Sequence, residues 1–229
     1  MSDELLELFT KSYIEAQPTK EVLFTWHGGE TLLRDISFYR KALAFQQKYG
    51  RGRIIANSLQ TNGVLLNDEW CRFFKDNNFL IGISIDGPEH CHDVYRKNKG
   101  DRGTFTQVMH GIRLLQKHEV DFNTLSVIND YNVQFPLDVY RFLKETGSQY
   151  MQFSPIVERV SDYRPDGLKL LSPEENIEAE LASWTVNPVK FGQFYIDIFD
   201  EWVRNDVGTY FVQLFDSTLA NMVGEQPGV

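Results

Sequence analysis

Cysteine is scarce in this sequence. The 229 residues include two cysteines, Cys71 and Cys91, which form no Cys-x-x-Cys pair. Isolated cysteines predict reduced thiols and exclude a disulfide framework. A cubane iron–sulfur cluster normally takes several thiolates at short spacing, so these two cysteines are not expected to hold such a cluster by themselves.

Basic charge and long apolar runs are also lacking. The chain has 23 basic and 32 acidic side chains and a formal net charge of -9. It has no basic stripe, which disfavours nucleic acid and anionic membranes as partners. No apolar run is long enough to cross a bilayer, and the acidic start of the chain lacks the basic region of a signal peptide. We therefore expect a cytoplasmic protein that binds no nucleic acid and no membrane.

Hydrophobic residues, in contrast, are abundant and regularly spaced. They make up 42% of the chain, enough for the core of one large domain. Their spacing predicts five strands that alternate with helices at intervals of about 30 residues. The predicted strands are 21–26, 53–59, 79–85, 122–128 and 150–153, and the predicted helices are 3–16, 36–50, 68–77, 104–118 and 135–146.

This alternation is typical of parallel strands covered by helices, so we expect an α/β fold with a barrel or an open doubly wound sheet. The pattern is less regular after residue 154. It predicts a loop at 157–171, helices at 173–184 and 189–204, a strand at 210–215 and a short helix at 217–223. We expect residues 1–160 to form the core, 161–225 to complete it and 226–229 to begin a linker.

Polar residues and tight turns follow the predicted strands. Ligands of parallel sheets bind at the carboxyl ends of the strands. Gly28-Gly29-Glu30 follows the first strand, and Ser84 and Asp86 lie at the end of the third. Adjacent glycines allow a ligand to approach the backbone closely, and Glu30 can hold a ligand ammonium. The alternative interpretation is a strand-to-helix turn with a solvated glutamate.

Four segments at these strand ends stand in the order and spacing of a known family. They are Trp26-His27-Gly28-Gly29-Glu30, Asn57-Ser58-Leu59-Gln60-Thr61-Asn62-Gly63, Ile83-Ser84-Ile85-Asp86-Gly87-Pro88 and Tyr150-Met151-Gln152-Phe153. Together they resemble radical S-adenosylmethionine (SAM) enzymes, and specifically anaerobic sulfatase-maturating enzymes. The resemblance implies a partial (β/α)6 barrel of parallel strands, with the first strand of the family missing.

The resemblance also implies a chemistry. In that family a 4Fe-4S cluster, held by a loop with three cysteines, cleaves SAM reductively. The resulting radical takes a hydrogen from a cysteine or serine of a sulfatase, which becomes Cα-formylglycine, and the cofactor carries the difficult step. The implied partners are a sulfatase polypeptide as substrate and a reductant such as flavodoxin or ferredoxin.

The cofactor-binding residues implied by the resemblance are Gly28, Gly29, Glu30, Ser84, Arg96 and Val157. The Gly-Gly-Glu segment would meet the methionine ammonium and carboxylate of SAM. Ser84 and Arg96 would bind its carboxylate or ribose, since an arginine fork suits a carboxylate. The backbone of Val157 would lie by the adenine. The alternatives are a Ser84 hydroxyl bonded within its own strand end and a solvated Arg96.

The sequence departs from the family in several places. The three-cysteine loop is missing, and Cys71 and Cys91 do not align with cluster ligands. The proton-acceptor aspartate of the family lies in a cysteine-rich C-terminal extension, so no residue here takes a catalytic role by resemblance. His27 replaces a usual glutamine and Thr31 a usual proline. We therefore expect this chain to be the core of a maturase and, by itself, not to catalyse the maturase reaction.

Two other hypotheses remain open at this point. The first is a non-catalytic remnant that binds SAM or a peptide. The second is an unrelated barrel enzyme that uses Glu30 and Asp86 as acid and base, although Asp86 beside Gly87 also suits a turn. A missing first strand would expose an edge of the sheet, so we also expect poor solubility or association with another protein.

Overall fold

A computed structural model of the chain describes residues 1–160 and 180–225. Its helices are α1 Asp3–Ala16, α2 Ile36–Tyr49, α3 Asp68–Asp76, α4 Glu89–Tyr95, α5 Phe105–Lys117, α6 Pro136–Glu145, α7 Pro188–Asn205 and α8 Gln213–Met222. Its strands are β1 Glu21–Trp26, β2 Ile54–Thr61, β3 Phe79–Ser84, β4 Phe122–Ile128, β5 Tyr150–Pro155, β6 Arg159–Val160, β7 Glu180–Leu181 and β8 Phe211–Val212.

The main sheet has six strands in the order β1-β2-β3-β4-β5-β8, and every neighbouring pair is parallel. Helices connect the successive strands, as parallel pairing requires. The predicted α/β class with a parallel sheet is confirmed. Within the described residues β1 has a neighbour on one side only, so it forms an edge of the sheet. The expected poor solubility stays a prediction.

The sheet buries one face under the helices. In β3 and the residue that follows it, Ile81, Ile83 and Ile85 are fully buried, whereas Leu80 on the opposite face is 39% exposed. Such alternation follows from the two-residue period of a strand. At the edge, Ile14 of α1 packs with Val22 and Phe24 of β1. The main core lies between the sheet and helices α2 to α8.

Side-chain caps explain where several predicted helices begin. Ser2 accepts a hydrogen bond from the Leu5 amide at the start of α1, as expected from its position. Asp35 caps α2 and Asn67 caps α3 in the same way. Within the described ranges, no helix combines the length and the apolar character that crossing a bilayer requires.

The prediction of a helix at 173–184 is wrong for its described part. Glu180–Leu181 forms β7, which pairs antiparallel with β6 at Arg159–Val160. The Ala182 amide donates to the Glu158 carbonyl at 2.9 Å, so these backbone groups bond across two strands. The predicted loop at 157–171 likewise contains β6. Residues 161–171 of that loop, residues 173–179 and the linker predicted at 226–229 lie outside the described residues.

The prediction of a strand at 210–215 is correct only for Phe211–Val212, and α8 begins at Gln213. Phe215 explains the change, since its ring packs 5.2 Å from that of Trp202 and 5.8 Å from that of Tyr195 on α7. This packing overrides the strand-like local sequence. Helix α4 was not predicted. The proposed boundary at residue 160 stays a prediction, although Phe153 and Phe194 share one core.

Candidate functional site

The carboxylate of Glu30 lies where β1 and β2 end. Its Oε1 accepts hydrogen bonds from the Thr61 hydroxyl at 2.6 Å and the Leu32 amide at 3.0 Å. Its Oε2 accepts one from the Asn62 amide at 2.9 Å. A carboxylate has about four acceptor positions, two on each oxygen. One position on Oε2 is therefore left for a ligand donor.

The two glycines before Glu30 leave open space beside it. Gly28 and Gly29 have φ angles of 101° and 48°, which L side chains rarely adopt. A Cβ added at either residue would meet no atom within 4 Å. In the described part of the chain no cation pairs with Glu30, which is only partly exposed. The segment thus presents an oriented negative charge toward open space.

A second carboxylate, Asp86, lies just beyond the end of β3. The Arg96 guanidinium donates from Nε to Oδ2 at 2.7 Å and from Nη2 to Oδ1 at 3.0 Å. The Val127 amide of β4 also donates to Oδ1, at 2.9 Å. Asn132 donates from Nδ2 to the Asp86 carbonyl at 3.1 Å. Asp86 is 3% exposed and the Arg96 side chain 26%, so the ion pair is buried at the carboxylate and partly exposed at the guanidinium.

A cleft of about 460 Å³ opens beside this ion pair. Its lining residues are Asp86, Tyr95, Arg96, Val127, Asn129, Ile156 and Trp184. Tyr95 and Trp184 are fixed at their polar ends. The Tyr95 hydroxyl donates to Asp130 Oδ1 at 2.6 Å, and Trp184 Nε1 donates to Glu158 Oε2 at 2.6 Å. The cleft therefore offers anchored aromatic rings, an apolar floor and one guanidinium.

The structure places the predicted site residues along one edge of the sheet, in two groups. Arg96 lines the cleft, and Val157 directly follows the lining residue Ile156 and is 67% exposed. Gly28, Gly29 and Glu30 lie at the β1 end and are not part of the cleft lining.

Ser84 is the last residue of β3, between these two groups. Its side chain is 7% exposed. No other described residue hydrogen-bonds to its hydroxyl. Both interpretations of Ser84, a ligand contact and a hydroxyl bonded within its own strand end, stay predictions. Arg96 is not freely solvated, because its guanidinium binds Asp86.

The two cysteines do not suit cluster ligation. Cys71 and Cys91 are buried on α3 and α4. Burial raises the pKa of Cys71 to about 11 and that of Cys91 to about 12. Metal ligation takes the thiolate, which these surroundings disfavour. Within residues 1–160 and 180–225, no group of three or more His, Cys, Asp or Glu could hold a metal ion.

The sequence pattern of the radical SAM superfamily matches residues 1–143. The chain belongs to the radical SAM superfamily. Membership excludes an unrelated barrel enzyme that uses Glu30 and Asp86 as acid and base. The geometry agrees, because Asp86 is committed to Arg96.

Comparison with individual superfamily members confirms the expected resemblance to sulfatase maturases. The chain is 57% identical over its full length to a serine-type anaerobic sulfatase-maturating enzyme of Bacteroides thetaiotaomicron, and spans 55% of that protein. It is 32% identical over 99% of its length to a cysteine-type enzyme of Clostridium novyi, of which it spans 57%. The chain thus spans about half the length of the curated relatives that it matches.

A solved structure supports the same assignment. It is described as native anSMEcpe with bound AdoMet and Cp18Cys peptide, and it matches with a TM-score of 0.83 and 28% identity. The match covers all of this chain and 60% of that one. The predicted partial barrel of the superfamily is therefore the fold of this chain.

Sequence reasoning missed several residues of the site. Tyr95 and Trp184 line the cleft, and His92 contacts the Asp86 amide. The sequence places Trp184 at the end of a predicted helix, whose described part, residues 180–184, is not helical. A signal for His92 was available, because His92 and Arg96 are four residues apart and residues at this spacing lie on one side of a helix.

Proposed function

We propose that this chain is the SAM-binding core of a sulfatase maturase. The observation that carries the proposal is the Glu30 carboxylate, fixed by three neutral donors with one acceptor position left open. A ligand ammonium is the natural donor for that position, because a charge-assisted hydrogen bond is stronger than a neutral one. The open space in front of Gly28 and Gly29 allows a ligand to reach it.

Ser84 and Arg96 supply the next contacts in this proposal. The Ser84 hydroxyl has no partner among the described residues and is available to a carboxylate or ribose. Arg96 has five N–H donors, and Asp86 takes one from Nε and one from Nη2. Three donors remain, all on the terminal nitrogens. We infer that Arg96 binds the ligand through these, and not through the fork that Asp86 occupies.

The cleft beside Arg96 suits the adenine ring. Aromatic side chains bury an adenine well, and Tyr95 and Trp184 both line the cleft. Ile156 forms part of its floor, and Val157 follows it with an exposed side chain. We therefore infer that the backbone at Val157 borders the adenine. When bound to a reduced cluster, SAM supplies the radical. The residues of this chain bind and orient SAM.

The substrate proposed for the whole protein is a sulfatase polypeptide. The support is similarity to maturases of both types, together with the peptide-bound structure. The higher identity to the serine-type relative, 57% against 32%, favours a serine as the target residue. A reductant such as flavodoxin or ferredoxin, and a cytoplasmic location, stay predictions.

The chain alone is proposed to bind SAM weakly and not to turn over. Its two cysteines are buried on separate helices, whereas a cubane cluster takes several thiolates. Anaerobic reconstitution with iron and sulfide should give no stable four-iron paramagnetic signal and no cleavage of SAM. A stable signal with SAM cleavage would contradict this part of the proposal.

Calorimetric titration with SAM tests the binding site. We expect weak, saturable binding to the wild-type chain. Glu30→Gln should lower the affinity about tenfold, since it replaces a charge-assisted hydrogen bond by a neutral one. Ser84→Ala should lower it less. Ser37→Ala, at an exposed position on α2, serves as the control and should have no effect. Absence of binding to the folded wild type, or equal losses in all three variants, would overturn the proposal.

A further inference from the structure

Four residues form a closed ring of hydrogen bonds behind the cleft. The Asp86 amide donates to His92 Nδ1 at 3.2 Å, and His92 Nε2 lies 3.1 Å from the Thr104 hydroxyl. That hydroxyl donates to the Arg96 carbonyl at 2.9 Å. The Arg96 guanidinium then returns to the Asp86 carboxylate. The ring thus joins the backbone of Asp86 to its own side chain.

The ring fixes the protonation of His92. Because Nδ1 accepts from the Asp86 amide, the imidazole is neutral and its proton lies on Nε2. Nε2 therefore donates to Thr104, and Thr104 donates onward to Arg96. The His92 side chain is 1% exposed, and burial lowers its pKa to about 4. His92 cannot reach a ligand itself and acts only through its neighbours.

The backbone of α4 adds to this arrangement. Arg96 directly follows α4, and its amide donates to the His92 carbonyl at 3.0 Å. The Arg96 carbonyl accepts from both the amide and the hydroxyl of Thr104, at 3.1 and 2.9 Å. Helix α4 has only seven residues and no side-chain cap at its start. Such a short helix depends on tertiary contacts for its position.

We propose that His92 is a positioning residue for Arg96. Through the Asp86 amide on one side and the Thr104 hydroxyl on the other, it holds the end of α4 so that the guanidinium keeps its orientation at the cleft. The consequence for SAM rests on the proposed function, whereas the effect on Arg96 itself does not. The two failures can therefore be told apart.

The test follows the Arg96 Nε–H by ¹⁵N NMR in the full chain. In the wild type this proton should exchange slowly with water, because it is held by Asp86. Thr104→Val keeps the shape of the side chain and removes the hydroxyl, and should speed exchange about fivefold, as expected for one lost hydrogen bond. Thr104→Ser should restore slow exchange. His92→Asn, which keeps an acceptor near the Asp86 amide, should behave like Thr104→Val.

His90→Gln is the matched control, since His90 lies on the same helix with its side chain exposed. It should leave the exchange rate of Arg96 unchanged. The affinity for SAM should fall about fivefold in Thr104→Val and recover in Thr104→Ser. Unchanged Arg96 exchange in folded Thr104→Val and His92→Asn would overturn the inference. If the wild type fails to bind SAM, the proposed function fails, and the exchange rates still decide the role of His92.

Discussion

Glu30 and Asp86 both follow parallel strands at the same edge of the sheet, yet the groups around them differ in kind. Glu30 accepts three hydrogen bonds from neutral donors and is partly exposed. Asp86 is buried, and Arg96 neutralises its charge. The negative charge of Glu30 is therefore available to a cationic ligand. The charge of Asp86 serves to orient an arginine, and the arginine in turn faces the cleft.

The largest expected effect comes from breaking the Asp86 pair. Asp86→Ala leaves the Arg96 guanidinium and the Val127 amide without their partner in a mostly buried position. Removing one partner of a buried ion pair costs about 3–5 kcal/mol. Urea unfolding should show a loss of that size in the free energy of unfolding. A loss as small as that of a typical surface substitution would contradict the contrast between the two carboxylates.

The next effect is a dependence of the free energy of unfolding on pH. It arises from His92, which accepts a hydrogen bond from the Asp86 amide. Charged groups that face His92 are Asp86, Asp93 and Arg96. The pKa of His92 falls from 6.5 to about 4 on folding, chiefly through burial. Between these values the unfolded chain binds a proton that the folded chain does not, so stability rises with pH. The gain approaches about 3 kcal/mol across this window.

Chemical unfolding at a series of pH values measures this dependence. Comparison with His92→Asn isolates the contribution of one imidazole, because the variant has no ring to titrate. The slope between pH 4 and 6.5 should be smaller in the variant. Equal slopes in the two proteins would show that His92 does not titrate as its burial implies.

Glu30→Gln should have a smaller effect on stability and a larger one on binding. In this variant an NH2 group replaces one carboxylate oxygen and faces a hydrogen-bond donor. We therefore expect the free energy of unfolding to fall by about 1–3 kcal/mol. Thermal unfolding measures the loss, and titration with SAM measures the binding. Asp86→Asn is the comparison, and should lose more stability than Glu30→Gln. The reverse order would contradict the account of the two carboxylates.

The smallest effect is expected at Thr61. Its hydroxyl donates to Glu30 at 2.6 Å and accepts from the Gly63 amide at 3.1 Å. Thr61→Val removes these bonds and should lower the free energy of unfolding by about 1 kcal/mol. Thr61→Ser should restore most of it. A loss in Thr61→Ser without one in Thr61→Val would show that shape, and not the hydroxyl, sets the stability here.

The strand ends could be predicted from the sequence, whereas the contacts between them could not. Apolar runs that stop at Gly28 and Asp86 located the carboxyl edge, because period and turn signals are local. That Arg96 binds Asp86 depends on α4, which is short and has no side-chain cap. The link from His92 to Thr104 spans twelve residues through a loop. No pattern in the sequence fixes such a contact.

The end of the chain shows the same limit. Tyr210 to Phe215 has a strand-like composition, but Phe215 packs into the aromatic cluster of α7, and the strand ends at Val212. Trp184 lies in a segment held by bonds to Glu158 and Asp130. These bonds join residues distant in sequence, so helical spacing alone gave the wrong element.

The central claim is that the carboxyl ends of the parallel strands together bind one SAM molecule. The most direct measurement is an amide NMR titration of the chain with SAM. The account predicts that the signals of Gly29, Glu30, Ser84 and Val157 shift together and saturate with a single dissociation constant. Shifts confined to one of these positions, shifts with different constants, or shifts on the helical face of the sheet would contradict it.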